Sequence, residues 1–292
     1  MSTNPRDRIV IAPEQRRRTI LALIRGAHRR LMLSIFRCDD DAVLEALAEA
    51  VRRGVHVQAI VTGRARDAAR ELDSIERFLA VHGVEVRRQP ETMKYHAKYI
   101  VADDETALVA SLNFTAKCFE RTCDFMLMTA DETVVSGLSE LFAADWDGRP
   151  VVLTPAQTAR LIVGPEHRPR DRFSELARAA RQHIRVIDAR VTDPRLVSVL
   201  DARRAAGICV AVKGHDALGS FAPHGKLLVI DRTVAVIGSI ALRPAALDSR
   251  RELAVVTHDP GVIRQLDGFW RSLPEPRVRP RLLQNDFQEI RL

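Results

Sequence analysis

The chain has 292 residues, of which 46% are hydrophobic and 28% are charged, and these ordinary globular values exclude a disordered or collagen-like protein. Its length suggests one large domain or two moderate ones. Four cysteines without a C-x-x-C pair exclude a disulfide framework and argue against a zinc ribbon. A formal net charge of +7 favours an anionic partner, whether nucleic acid, anionic lipid or another phosphoester.

The predicted elements alternate between strands and helices along both halves of the chain. In the first half we expect strands at residues 9–12 and 31–36 and helices at about 15–28, 40–53 and 67–81. In the second half we expect strands at residues 161–163 and 184–189 and helices at about 170–183 and 193–206. Gly54, Gly83 and Gly207 follow predicted helices as left-handed caps. The alternation predicts an α/β protein with buried sheets.

One pattern occurs twice in the chain. His96 is followed by Lys98 and Asp103, and 128 residues later His224 is followed by Lys226 and Asp231. The composition predicts only about 0.15 H-x-K triplets by chance. The same offset aligns Ser111 with Ser239 and Asp124 with Glu252. We therefore predict a duplicated unit, with repeats at residues 1–154 and 155–292.

The repeated motifs are predicted to begin β-hairpins, with strands at residues 98–102 and 226–230. Residues i and i+2 of a strand share a face, so His96 is expected to point the same way as Lys98, and His224 the same way as Lys226. The next strand of the first hairpin ends with Ser111 and Asn113 on one face.

These residue types suit the cleavage of a phosphodiester. A neutral imidazole can attack phosphorus, and a second, protonated imidazole can donate to the leaving oxygen. The charged phosphate oxygens would be held by the motif lysines and by Ser111, Ser239 and Asn113. Asp124 and Glu252 would each accept the other ring N–H of its histidine. Such a site requires no metal or other cofactor.

The motif H-x-K-x4-D is present twice, each time followed by a variant of G-S-x-N, and this pattern resembles the phospholipase D superfamily. The resemblance implies two tandem α/β/α sandwich repeats packed as a pseudo-dimer, with one active site at their interface. It further implies a covalent phosphohistidine intermediate, with His96 favoured as the nucleophile. The catalytic residues implied are His96, Lys98, Asp103, His224, Lys226 and Asp231, and the supporting ones are Ser111, Asn113, Ser239, Asp124 and Glu252.

Three positions depart from the pattern of that superfamily. Ala110 replaces a glycine in the first copy, Ala241 replaces the second asparagine, and Asp124 is one methylene shorter than the usual glutamate. Both histidines and both lysines are present, so we expect an active enzyme.

Three functions are compatible with the motif. The favoured one is cleavage or transfer of the phosphatidyl group of a glycerophospholipid. The alternative is a metal-independent nuclease acting on DNA or RNA, and the third is a catalytically weak binding module. We expect a cytoplasmic protein without a transmembrane segment, because the apolar run at residues 9–12 is too short for a secretory signal and the longest, residues 234–242, cannot span a bilayer. Peripheral membrane contact is compatible with this, and no oligomer is required.

Arginines near the motifs have two predicted environments. Arg250 and Arg251, beside Glu252, are candidates to contact substrate. The run from Arg16 to Arg18 is predicted to lie on a solvated helix face.

Overall fold

The structure is a computed structural model that describes residues 7–63 and 69–275. The first half contains β1 (Asp7–Val10), α1 (Pro13–Gly26), β2 (Arg30–Ile35), α2 (Asp41–Arg52), β3 (His56–Val61), α3 (Ala69–Val81), β4 (Glu85–Arg88), β5 (Lys94–Tyr95), β6 (Tyr99–Ala102), β7 (Thr106–Ala110), α4 (Ala116–Glu120), β8 (Thr122–Cys123), β9 (Met126–Thr129) and α5 (Glu132–Asp147). The second half contains α6 (Pro155–Arg160), β10 (Leu161–Gly164), α7 (Pro169–Ala179), β11 (His183–Ile187), α8 (Pro194–Ala205), β12 (Cys209–Lys213), β13 (Ala222–Pro223), β14 (Lys226–Ile230), β15 (Val234–Gly238), α9 (Pro244–Asp248), β16 (Arg250–Thr257) and α10 (Pro260–Ser272).

Two sheets of matching topology form the framework. The first has the strand order β1-β9-β7-β6-β2-β3-β4, and the second has the order β10-β16-β15-β14-β11-β12. In both sheets the motif strand, β6 or β14, is antiparallel to both of its neighbours. The two halves therefore share one sheet topology, as the predicted duplication implies.

Caps and side-chain acceptors set the ends of the helices. Asp40 and Asp193 cap the N-termini of α2 and α8 by accepting backbone N–H groups. Gly54 and Gly207 adopt φ values of 87° and 84° after these helices, as predicted. Helix α7 ends at Ala179, several residues before its predicted end, because the next backbone N–H groups bond to the Asp231 carboxylate.

The hydrophobic core has three layers. One inner cluster contains residues from the facing sides of both sheets together with residues of α5 and α10. An outer cluster lies between the first sheet and helices α1 and α2, and a second lies between the other sheet and helices α7 and α8. The predicted α/β class, with two sandwich repeats packed face to face, is confirmed.

Two short strands cross between the halves. Strand β5, just before the first motif, pairs in parallel with β16 of the second half. Strand β13, just before the second motif, pairs in parallel with β8 of the first half. Each motif therefore lies against the segment of the other half that carries Glu252 or Asp124.

None of the helices in the described ranges is both long and apolar enough to cross a membrane.

Candidate active site

Each motif histidine is held by a carboxylate from the opposite half of the chain. His96 Nδ1 lies 2.9 Å from Glu252 Oε2, although these residues are 156 positions apart. His224 Nδ1 lies 2.9 Å and 3.0 Å from the two carboxylate oxygens of Asp124, 100 positions away. The prediction that Asp124 and Glu252 hold histidines agrees with this geometry, but the pairing is crossed between the halves.

The exchanged strands explain the crossing. The backbone N–H groups of His96 and Ala97 donate to the Arg251 carbonyl at 2.8 Å and 3.0 Å, next to Glu252. The Gly225 N–H donates to the Cys123 carbonyl at 2.6 Å, next to Asp124. Backbone pairing across the interface therefore delivers each imidazole to the acid of the other half.

Close approach at the second crossing requires glycine. A Cβ added at Gly225 would lie 2.4 Å from the Cys123 carbonyl oxygen and 3.0 Å from the Phe125 ring. The equivalent position in the first motif is Ala97, whose side chain is accommodated and buried. The two crossings are thus similar in topology and different in packing.

A backbone contact fixes each motif lysine, and only Lys226 lies within its motif strand, since β14 spans Lys226–Ile230 as predicted. Strand β6 begins at Tyr99, so His96 and Lys98 lie in the connection that precedes it, and the predicted strand start at residue 98 is wrong by one residue. Lys98 Nζ donates to the His96 carbonyl at 2.6 Å, and Lys226 Nζ donates to the His224 carbonyl at 2.5 Å. Each ammonium is therefore fixed beside its own histidine while keeping further N–H donors for a ligand.

Both acids are fully buried and remain ionised. Burial alone would raise the pKa of Asp124, but His224, Lys226 and the Ser111 hydroxyl outweigh it and lower that pKa. Burial likewise opposes ionisation of Glu252, and His96, Lys98 and Ser239 lower its pKa.

The two motif serines support the acids. Ser111 Oγ donates to Asp124 Oδ1 at 2.6 Å and accepts from the Phe125 N–H at 2.9 Å. Ser239 is buried, donates to the Leu253 carbonyl at 3.3 Å and accepts from the Leu253 N–H at 3.1 Å, and its hydroxyl helps to lower the pKa of Glu252. This placement differs from the prediction that both serines hold phosphate oxygens, because the Ser111 hydroxyl is committed to Asp124 and the Ser239 hydroxyl to the backbone of Leu253.

Burial keeps His96 neutral. Desolvation lowers the pKa of His96 well below its usual value, and the positive charges of Lys98 and Lys226 lower it further, against the opposing effect of Glu252. Burial also lowers the pKa of Lys98, and the charge of Lys226 adds to this effect. An anion placed between the two ammonium groups would relieve their repulsion.

Asn113 lies beside His224 in a cavity of about 300 Å³. The Asn113 side chain is only 9% exposed, and its Oδ1 atom is buried without a hydrogen-bond partner. The other lining residues include cations, acids and small polar groups, namely Arg37, Asp39, Glu71, Thr115, Lys117, Cys118, Thr122, Ala222 and Pro223. This amide oxygen can accept a hydrogen bond from a ligand, whereas the predicted contact with a phosphate oxygen would use the amide NH2 group and stays a prediction.

The motif aspartates lie away from the histidines. Asp103 follows β6, and its carboxylate accepts the backbone N–H groups of His28, Arg29 and Arg30. Asp231 does the same for residues 181–183 of the second half. Seven residues separate Asp103 from His96, or roughly 20 Å of extended chain. The structure therefore gives each aspartate contacts that join the end of the motif strand to the start of the neighbouring strand, and does not bring either one to the predicted catalytic group.

Two predictions for arginines are corrected. Arg251 is only 3% exposed and forms ion pairs with Asp145 and Glu166, so its guanidinium is committed to the protein interior rather than to substrate. Arg16 is also buried and donates to the carbonyls of Cys118 and Thr122 at 2.8 Å. The charge pattern of the helix could not predict that Arg16 is buried, because the carbonyls that it contacts belong to a segment about 100 residues later.

Phe36 was not identified from the sequence. Its ring centroid lies 4.7 Å from that of His96 in an edge-on arrangement. Lys98 Nζ lies 4.9 Å from the same centroid. The sequence could have indicated Phe36, because it directly follows the buried strand β2 and the ends of neighbouring strands lie close together.

One group in the described ranges offers metal ligands within 4.8 Å of one another, namely Cys118, Asp124 and His224. Both Asp124 oxygens already accept hydrogen bonds, from Ser111 and His224 and from Thr122. A metal ion would have to displace the contact that orients His224. These residues thus fit a histidine–carboxylate pair better than a metal centre.

Comparison with known proteins places this geometry in a family. Residues 20–146 and 153–273 match the sequence model described as cardiolipin synthase, PLD-like domain. Cardiolipin synthase A of Pseudomonas aeruginosa is 33% identical over 130 residues, which is 42% of this chain and 26% of that protein. The chain thus spans about a quarter of the length of this curated relative.

Two solved structures share the fold across most of the chain. Polyphosphate kinase from Porphyromonas gingivalis has a TM-score of 0.73 and 20% identity, covering 90% of this chain and 46% of that one. Phosphatidylserine synthase from Haemophilus influenzae has a TM-score of 0.72 and 11% identity, covering 91% and 85%. With both halves matched, and with two histidine–lysine motifs meeting at one interface, the chain belongs to the family of phospholipase D-like domains named for cardiolipin synthase.

Proposed function

We propose that this protein transfers or hydrolyses the phosphatidyl group of a glycerophospholipid through a covalent phosphohistidine. The observation that carries the proposal is the pair of crossed histidine–carboxylate contacts, in which each Nδ1 is engaged at 2.9 Å by a buried acid. Donation of the Nδ1 proton to an acid fixes the imidazole tautomer and leaves Nε2 for chemistry. The resemblance of the chain to cardiolipin synthase A supports phospholipid as the substrate class.

In this proposal His96 is the nucleophile. Its lowered pKa keeps the ring neutral at physiological pH, and a neutral imidazole has a lone pair to attack phosphorus. The N–P bond forms as the P–O bond to the departing alcohol breaks, and His224 donates its proton to the leaving oxygen. Asp124 contacts Nδ1 of His224 with both oxygens and stabilises the imidazolium before this transfer.

The second step reverses the proton transfer. Water or an acceptor alcohol gives its proton to His224 as its oxygen attacks phosphorus, and the N–P bond breaks to regenerate neutral His96. Lys98 and Lys226 neutralise the phosphate oxygens in both steps, since their ammonium groups are fixed beside the two histidines. Asn113 supplies an amide to the same region.

The test is a competition assay in EDTA between phospholipid vesicles and single-stranded DNA. We expect head-group release from lipid, and transfer to glycerol when glycerol is added, with both products lost in His96→Asn and His224→Asn. His56→Asn is the matched control, because His56 is exposed at the start of β3 and pairs with Arg30, at the end of the sheet that carries Asp103 and not the motif histidines. Nucleotide release with intact lipid would replace this proposal with the nuclease alternative, and turnover unaffected by both histidine substitutions would reject the site.

A further inference from the structure

Three cations surround one aromatic ring next to the candidate nucleophile. Lys94 Nζ lies 4.7 Å, Lys98 Nζ 4.9 Å and Arg37 Cζ 5.7 Å from the centroid of Phe36. The same ring contacts the imidazole of His96. Only Lys98 belongs to the catalytic motif, so Lys94 and Arg37 are additional positive charges at the edge of the site.

Two further arginines extend this group. Arg250 lies opposite Lys94 in the register of the β5–β16 pairing. Burial lowers the pKa of Lys94, and the charges of Arg250, Arg243 and Arg37 lower it further, against the effect of Glu252. We call Arg37, Lys94, Arg243 and Arg250 the cation rim.

The rim contains polar atoms without protein partners. The Nε atoms of Arg37 and Arg243 are both buried and form no hydrogen bond. Within residues 7–63 and 69–275, neither of these arginines forms an ion pair, nor does Lys94. The Nε atoms of the remote Arg30 and Arg172 are also buried without a partner, but these two arginines pair with acids through their terminal nitrogens, which Arg37 and Arg243 do not in the part of the chain that the structure describes. Buried donors of this kind normally have a partner, and an anionic ligand would supply one.

The catalytic centre does not require these extra charges. Lys98 and Lys226 balance the ionised Asp124 and Glu252, and one protonated histidine then matches a singly charged phosphodiester. Asp39 and Glu71 line the His224 cavity together with Arg37, so they offset charge on that side. The excess of positive charge therefore lies on the His96 side, at Lys94 and Arg243, neither of which forms an ion pair within the described residues.

We propose that the cation rim binds a second phosphate group of the substrate, next to the phosphodiester that is cleaved. The inference rests on the proposed function and specifies it, because the preferred lipid then carries two phosphates rather than one. Phosphate offers oxygens to several guanidinium and ammonium donors at once and would give the Arg243 guanidinium a partner.

The test compares two short-chain lipids dispersed as monomers, namely phosphatidylglycerol and its counterpart with a phosphomonoester on the glycerol. We expect wild-type kcat/KM to be at least ten-fold higher for the doubly phosphorylated lipid, and this preference to fall about ten-fold in Arg243→Gln and in Lys94→Gln. Arg243→Lys should retain part of the preference. Arg204→Gln is the charge-matched control, because Arg204 is exposed near the end of α8 and pairs with Asp201.

A second measurement uses only the wild-type protein, so it does not depend on the folding of any variant. Inorganic pyrophosphate should inhibit turnover of the singly phosphorylated lipid at a concentration about ten-fold lower than inorganic phosphate does. Equal inhibition by the two anions, together with equal turnover of the two lipids, would overturn the proposal and leave the proposed function intact.

The remaining outcomes separate the sources of anion and the two functions. If the preference arises only on vesicles of phosphatidylcholine and phosphatidylglycerol, and Arg204→Gln reduces it equally, the rim responds to membrane charge and the proposal is wrong. If the wild type cleaves an oligonucleotide and neither lipid, the proposed function itself is wrong.

Discussion

The crossed pairing of the histidines predicts which residues are energetically coupled. We consider His96→Asn and Glu252→Gln, singly and together, measured against the within-half combination of His96→Asn with Asp124→Asn. His96 donates to a buried carboxylate at 2.9 Å, and hydrogen bonds to charged groups contribute roughly 1.5–3 kcal/mol. The double-mutant cycle for His96 and Glu252 should therefore give a coupling free energy of that size, whereas the within-half cycle should give less than about 0.5 kcal/mol.

The assay is urea unfolding at pH 7.5, followed by both fluorescence and circular dichroism to test for a single transition. Single substitutions leave a buried group without its partner, so their individual effects mix desolvation with the lost contact. The cycle isolates the pairwise contribution. The reciprocal cycles, His224 with Asp124 and His224 with Glu252, should give the same contrast. A larger coupling between residues of the same half would refute the crossed arrangement and the strand exchange that produces it.

Three further predictions follow from the site and its supports. Because folding lowers the pKa of His96, the unfolded chain binds more protons between the folded value and about 6.5, so His96 should make stability decline as pH falls from 7.5 to 5.5, by at most about 1.4 kcal/mol per pH unit. Burial raises the pKa of Asp145 to about 6, which acts in the opposite direction, so the measurement is the difference between the wild type and His96→Asn. Equal changes of the urea midpoint with pH in these two proteins would contradict the prediction. Gly225→Ala should cost about 1–3 kcal/mol of unfolding free energy and reduce kcat, because its Cβ would lie 2.4 Å from the Cys123 carbonyl oxygen. The matched change in the other motif, Ala97→Gly, should cost about 1 kcal/mol. Equal urea midpoints for Gly225→Ala and the wild type would show that the crossing tolerates a methyl group. Asp103→Ala should lower the unfolding free energy by about 1–3 kcal/mol and change kcat of the folded enzyme by less than about three-fold. A hundred-fold loss of kcat would show that Asp103 has a catalytic role.

The pKa values of the two acids determine the pH range in which their contacts stabilise the fold. Asp124 and Glu252 have lowered pKa values, so both acids stay ionised and continue to hold the histidines well below neutral pH. The stability that these contacts contribute is present above the unfolded pKa values of about 4 and is lost only as pH falls through the folded values. Asp124 and Glu252 therefore contribute little to a change of stability between pH 7.5 and 5.5.

The sequence by itself determined the elements, the duplication and the family. Strand and helix periods are local properties, so nearly every predicted element is present, and helices α2 and α8 end at the glycines that the pattern indicated. The repeated motif identified both histidines and both lysines, because four reactive residues at equal spacing exceed the chance expectation. The same motif overstated Asp103, whose spacing is conserved between the halves for a turn at the far end of the strand.

The tertiary structure decided which residues act together. A repeat offset equates Asp124 with Glu252 but contains no information on which histidine each acid meets, since contacts across 156 and 100 positions depend on how the two sheets pack. Backbone pairing of β5 with β16 and of β13 with β8 made that choice. Burial made another, because His96 is neutral only through desolvation and the nearby lysine charges. The cation rim likewise exists only in the folded chain, where Lys94 and Arg37 converge on Phe36 from separate elements.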